Sequence, residues 1–242
     1  MIELKAFSTG FKEKGLLKDV DITFPSEELT ALIGKNGSGK STLMKALCGL
    51  NEKYKGSIEI DGKEIKEITK LKLASEVSYV NTQRPRIANL KSYDVVALGR
   101  TPFTGWNGRL SDKDKQKIEE AIKLVGMEEF KDRYLQTLSD GECQKIMIAR
   151  AIAQDTPIIL LDEPTSFLDL PTRHEIVALL KRLTKENKKT VIFSTHELDI
   201  ALRYADNIAL IDTPNLLLQP TMQMIDYLRN SSHPFSPFLP SK

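Results

Sequence analysis

Cysteine is scarce in this chain of 242 residues: Cys48 and Cys143 are the two present, far apart and without C-x-x-C spacing. That spacing argues against a disulfide framework. Both cysteines fall in segments that read as helices, so packed thiols in a reducing compartment are expected. Charge of neither sign is in excess. Lys+Arg 35 against Asp+Glu 33 leaves a formal +2, so no nucleic-acid partner is expected, since binding a phosphodiester backbone calls for concentrated positive charge. No apolar run approaches the ~20 residues that cross a bilayer. The opening MIELKAF alternates like a strand and lacks the basic-then-apolar design of a signal peptide. A membrane part, if there is one, is therefore expected on another chain. Tryptophan occurs once, as Trp106 in the loop TPFTGWNG with Phe103; local packing is the expectation and an exposed docking surface the alternative. No internal repeat is present, and the length suits one large domain with an insert.

Glycine, by contrast, is concentrated where it has a use. The stretch GKNGSGKST, Gly34 to Thr42, fits G-x-x-x-x-G-K-[ST] with Gly34, Gly39, Lys40 and Ser41 at the defining positions. An apolar strand, LTALI, precedes it and TLMKAL, which reads as a helix, follows. In that setting the backbone of Gly34, Lys35, Asn36, Gly37, Ser38 and Gly39 turns successive N–H groups toward a phosphate chain at the positive end of a helix. Lys40 reaches the terminal phosphates, the Ser41 hydroxyl can ligate Mg²⁺, and Thr42 completes the loop. A nucleoside triphosphate is the expected ligand.

Residues 1–60 read as β-rich. Val20, Ile22 and Phe24 alternate with polar neighbours, and SIEI-DG-KEI (Ser57 to Ile65) is a hairpin signal. Phe11, in TGFKEKG upstream of the glycine loop, is either a hairpin aromatic or a platform for a base. From about Arg84 to Thr137 the pattern is helical, with Ile118, Ala121, Ile122 and Val125 on one face after a Ser111-Asp112 cap. Beyond it, α/β alternation returns. IILL (Ile158–Leu161) and TVIFS (Thr190–Ser194) read as buried parallel strands; Pro171 opens a helix whose Ile176, Leu179, Leu180 and Leu183 share a face; a strand is expected near Asn207–Ile211. The tail SSHPFSPFLPSK, proline among serines, is expected to be poorly ordered.

The run IILLDEP puts Asp162 and Glu163 at the C-terminal end of a buried strand, where open α/β sheets bind ligands. Such a pair divides the work: Asp162 holds Mg²⁺ through its water shell, and Glu163 orients or deprotonates the attacking water. LSDGE (Leu138–Glu142) lies upstream before CQKIMIARAIA, and SFLD (Ser166–Asp169) and STHELDIA with His196 follow. In that order, after a phosphate loop, residues 1 to about 212 resemble the nucleotide-binding subunit of an ATP-binding cassette (ABC) protein.

The resemblance implies an α/β P-loop NTPase core, a mostly parallel sheet with an N-terminal antiparallel β subdomain, and an inserted α-helical subdomain. The expected divisions of this single cassette domain are 1–83 and about 141–220 for the core, about 84–140 for the insert, and about 230–242 for a flexible tail. It implies ATP and Mg²⁺ as ligands. By the same resemblance Phe11 stacks on adenine, Gln83 contacts Mg²⁺ and the attacking water, and His196 contacts the γ-phosphate. Ser139 and Gly141 grip the γ-phosphate held by a second copy of the chain, and Asp169 links the two sites across that interface. Two departures stand out: the family's signature usually reads LSGGQ, whereas Asp140 and Glu142 stand here, and DTPNLLLQP replaces the usual glycine-containing hairpin after His196. DVVALGRTPF (Asp94–Phe103) is similar to the corresponding segment of importers for iron siderophores, haem and cobalamin. The expected assembly is two copies at the cytoplasmic face of the cell membrane, under two permease subunits fed by a substrate-binding protein. The alternative is a soluble cassette with an assembly or regulatory role and no membrane partner.

Overall fold

The computed structural model describes every residue except 12–13, 83–88, 167, 232 and 240–242; the side chains of Phe11 and Lys14 also lie outside the description. In chain order the strands are β1 (Ile2–Phe11), β2 (Lys14–Phe24), β3 (Leu29–Gly34), β4 (Tyr54–Ile60) and β5 (Lys63–Glu64). They continue as β6 (Val77–Val80), β7 (Ile158–Leu161), β8 (Thr190–Ser194), β9 (Asn207–Asp212) and β10 (Asn215–Pro220). The helices are α1 (Lys40–Leu47), α2 (Lys70–Glu76), α3 (Ser92–Ala97), α4 (Asp112–Leu124), α5 (Asp140–Ala153), α6 (Leu170–Asn187), α7 (Leu198–Tyr204) and α8 (Thr221–Asn230).

Two sheets result. One is antiparallel, in the order β2-β1-β4-β5; the other runs β10-β9-β3-β8-β7-β6, parallel except for β10. Side chains alternate across the parallel sheet with the period of two that a strand imposes, and this divides the interior into two cores. Ala31, Ile33, Ile159, Leu161, Val191, Phe193, Ile208 and Leu210 face the helices α5 and α6. Leu32, Leu160, Ile192, Ala209 and Ile211 face α1 and the antiparallel sheet, with Phe7 and Phe24. A strand buried on both sides has no polar alternation left, which is why IILL and TVIFS are unbroken apolar runs.

The expected hairpin is present: Asp61 and Gly62 both take positive φ (+49° and +76°), as a two-residue turn between twisted antiparallel strands requires. It is shorter than the sequence suggests, since Ile65 already starts a 3₁₀ turn. In the insert, Ser111 caps α4, its hydroxyl accepting from the Asp114 N–H while Asp114 returns the bond to the Ser111 N–H. Ile118, Ala121 and Ile122 are buried as the spacing predicts, and α3 and α4 both pack on α5. Neither cysteine is in a disulfide; burial pushes the Cys48 thiol up to about 11.

Three expectations need correction. DTPNLLLQP does form a hairpin, β9–β10, with Thr213-Pro214 at the turn in place of glycine. Beyond it α8, unforeseen in the sequence, seats Met224 and Leu228 in the core. The tail is also not free of the body over 233–239, where Phe235 and Leu239 pack against the core and His233 and Phe235 line a cavity beside Lys35–Ser38. Third, Trp106 is fully exposed, with Phe103 and Leu98 about half exposed nearby in sequence.

Candidate active site

Because β3, β8, β7 and β6 are parallel neighbours, the segments leaving their C-terminal ends share one edge of the sheet. They are the glycine loop, Thr195-His196, Asp162-Glu163 and the segment leading to Gln83. The glycine loop folds as its residue types dictate. Gly39, at the N-cap of α1, has φ +108°, a left-handed conformation that glycine adopts at little cost. Gly34 is needed for a different reason: a Cβ there would lie 2.7 Å from Ser38 Oγ and 2.9 Å from the Ile211 carbonyl.

A pocket of ≈ 390 Å³ opens above α1, lined by Leu16, Asn36, Gly37, Gly39, Lys40, Ser41, Thr42 and Glu163. Lys40 is buried, with Nζ donating to the carbonyls of Gly34 (2.8 Å) and Lys35 (3.3 Å). An ammonium has three donors, so one remains to meet a phosphate oxygen. Burial lowers the Lys40 pKa from its ordinary value, while Glu163 and Asp162 act to keep it charged. Asp162 is buried; its Oδ1 accepts from Ser194 Oγ at 2.6 Å and its Oδ2 from Tyr79 Oη at 3.5 Å. The Ser194 hydroxyl in turn accepts from the Glu163 N–H at 2.8 Å. Glu163 sits at φ +49°, a strained backbone of the kind that clusters at functional sites. Its Oε2 accepts from Ser166 Oγ at 3.0 Å, and its Oε1 lies 3.9 Å from Nδ1 of the exposed His196.

Glu163, Lys40, Ser41 and His196 are thus brought together. Ser41 offers a hydroxyl and Asp162 a carboxylate, oxygen donors of the type that suits Mg²⁺, an ion that keeps several waters of its own. Phe11 lies in β1, paired with Lys14; its side chain and all of Gln83 fall outside the described residues.

Ser139, Gly141 and Asp169 do not line this pocket. Ser139 caps α5: its hydroxyl accepts from the Glu142 N–H (3.3 Å), and Glu142 Oε2 accepts from the Ser139 N–H (2.7 Å). The Ser139 N–H foremost, and the Ser139 side chain after it, hold the Glu142 carboxyl below its ordinary pKa. The departure from LSGGQ at 142 therefore completes a capping box, a pattern that S-x-x-E displays in the sequence itself. Gly141 sits against Leu168, whose Cδ2 would be 3.3 Å from a Cβ there. Asp169 caps α6, accepting from the Thr172 N–H at 2.8 Å. Sequence reasoning gave no role to Ser194 and Ser166, although they open STHELDIA and SFLD, nor to Tyr79 or the Leu16 wall.

Comparison with known proteins completes the picture. Residues 17–166 match the family described as ABC transporter. The petrobactin import ATP-binding protein YclP of Bacillus subtilis (strain 168) is 36% identical over 227 residues, 93% of this chain and 89% of that protein. The iron(3+)-hydroxamate import ATP-binding protein FhuC of the same organism is 35% identical over 196 residues, 81% of this chain and 73% of that one. Among solved structures, the dimeric post-hydrolysis state of the ATP-binding cassette MJ0796 bound to ADP and Pi aligns with TM-score 0.79 and 28% identity, over 91% of this chain and 99% of that one. With the glycine loop, the acidic pair and the histidine all on one sheet edge, the chain belongs to the ABC transporter family, as one of its ATP-hydrolysing, importer-type ATP-binding subunits.

Proposed function

We propose that this chain energises uptake of an iron siderophore, haem or cobalamin, working as two copies beneath two permease subunits that a substrate-binding protein supplies. The cargo class is supported by the petrobactin and iron-hydroxamate names of the relatives and by the segment Asp94–Phe103. No helix among the described residues is long and apolar enough to cross a membrane, in keeping with a peripheral subunit at the cytoplasmic face. The domain divides into the core, about 1–83 and 141–220, and the insert, about 84–140, which faces the permease.

In this reading Phe11 stacks on adenine while backbone N–H groups of 35–42 and the Lys40 ammonium hold the phosphates. Ser41, Asp162 through water, and Gln83 would hold Mg²⁺, which would supply positive charge to the triphosphate. Glu163 orients the attacking water and takes its proton as the bond to the γ-phosphorus forms; the β–γ bridging oxygen leaves with ADP. His196 donates to the γ-phosphate as charge gathers there. Ser139 and Gly141 of the second copy close the site from above, using a hydroxyl and a helix N-terminal N–H. Asp169 carries contact from one site to the other.

The observation that carries the reading is the position of Glu163, lining the same pocket as Lys40 and Ser41 and 3.9 Å from His196. Glu163→Gln is expected to lower turnover by about a hundredfold or more and to retain ATP in a stable dimer by gel filtration. Turnover at the unmodified rate would remove Glu163 from the role of base.

A further inference from the structure

Glu197 follows His196 in STHELDIA, and the family resemblance gives it no role. Its carboxylate is largely buried, 12% exposed, and both oxygens are engaged. Oε1 accepts from Thr165 Oγ1 at 2.8 Å, and Oε2 accepts from Arg173 Nη1 at 2.7 Å. Arg173 in turn donates from Nε to the Leu168 carbonyl at 2.7 Å. One carboxylate therefore grips both ends of the Thr165–Leu168 stretch, the first directly and the second through Arg173. That stretch carries Ser166, whose hydroxyl holds Glu163 Oε2 and whose N–H donates to the Glu163 carbonyl. It also carries Leu168, against which Gly141 rests. On its own side Glu197 is fixed by its N–H bond to Thr195 Oγ1 at 3.0 Å, so His196 sits between two anchored neighbours.

We infer that Glu197 is a positioning residue for hydrolysis: its carboxylate locks Thr165 directly, and Leu168 through Arg173, to the His196 loop and so sets the distance between Glu163 and His196. The chemistry favours a lasting clasp. Charge-assisted bonds of 2.7–2.8 Å are about twice as strong as neutral ones, and Glu163 on a strained backbone needs outside support to hold its place. Glu197 does not line the phosphate-loop pocket, so its removal acts on the chemical step and not on nucleotide capture. Misplacement of a reacting group by ~1 Å costs on the order of a hundredfold in rate.

The inference rests on the roles given to Glu163 and His196, and the experiment separates the two. In the full-length protein, Glu197→Ala is expected to lower kcat about 10–100-fold with the KM for ATP within about twofold of the unmodified value. Arg173→Met opens the Leu168 end of the same clasp and should lower kcat by no more than Glu197→Ala does, at constant KM, and the double variant should be no slower than Glu197→Ala. Thr165→Val keeps shape and removes one bond, so it should give a smaller kcat loss at constant KM; it also serves if Glu197→Ala fails to fold. An unchanged kcat in Glu197→Ala and Thr165→Val, or a parallel loss of kcat and ATP affinity, overturns the inference. Glu163→Gln assayed alongside isolates the premise: normal turnover there defeats the reading of the base, whereas a dead Glu163→Gln beside a fully active Glu197→Ala defeats this inference alone.

Discussion

Asp162 and Glu163 are held in place by one hydroxyl to which the family resemblance gives no role. Ser194 Oγ donates to the Asp162 carboxylate and accepts from the Glu163 N–H, so a fully buried serine at the end of β8 orients both acids at the end of β7. Ser194→Ala takes a donor from the buried Asp162 carboxylate and an acceptor from the half-buried Glu163 N–H, which costs about 1–3 kcal/mol. More telling is the expected rise of about tenfold in the Mg²⁺ concentration needed for half-maximal hydrolysis, in line with the loss of a group that aims a ligand. A magnesium titration of the variant checks it; an unchanged midpoint shows that Asp162 keeps its aim without help. The residues legible in the sequence were Gly34 to Thr42, Asp162 and Glu163, from spacing and context, and His196, from the family resemblance alone. Ser194, Tyr79 and Arg173 were not, because their partners are set by strand register and loop closure, which no local pattern encodes.

At the scale of an element, α5 shows the same division. Its N-terminus carries the capping box of Ser139 and Glu142. Its C-terminus is closed by a group from elsewhere: Arg100, buried, donates from Nη1 to the carbonyls of Ala153 (2.7 Å) and Gln154 (3.2 Å) and from Nε to Asp114 at 2.9 Å. Gly99 allows the approach, since a Cβ there would lie 2.3 Å from the Arg150 carbonyl. The GR of VALGR thus has a structural account as a joint between the insert and α5. Asp114→Asn leaves the buried guanidinium without its counter-charge and should destabilise the protein by about 3–5 kcal/mol, measured by urea denaturation at pH 7. The Ser111 hydroxyl first, and Arg100 after it, hold the Asp114 carboxyl below its ordinary 3.8. The contribution of the charged pair is therefore complete above that pH and fades only as the pH falls below it, so the gap between variant and parent should persist at pH 5. The helical faces of α4 and α6 were readable from a period of 3.6; the partner of Arg100 was not, being 14 residues away across a loop.

For the whole molecule, the order of motifs along the chain carried the fold, because parallel strands bring their C-terminal ends to one edge whatever lies between them. What it did not carry was the closing of the body. The β9–β10 hairpin, α8 and residues 233–239 lie where the sequence departs from its family and where proline suggests a loose end, yet Met224 and Leu228 are fully buried. Leu228→Ala should cost about 2–5 kcal/mol; a loss under 1 kcal/mol in thermal denaturation would mean that α8 is a dispensable appendage. A different consequence follows from the insert. Trp106 is the chain's one tryptophan and stands wholly in water. The molecule therefore carries its own optical reporter: the indole emission comes from a single place, and any surface that settles over that loop must shift it toward the blue without a dye being attached.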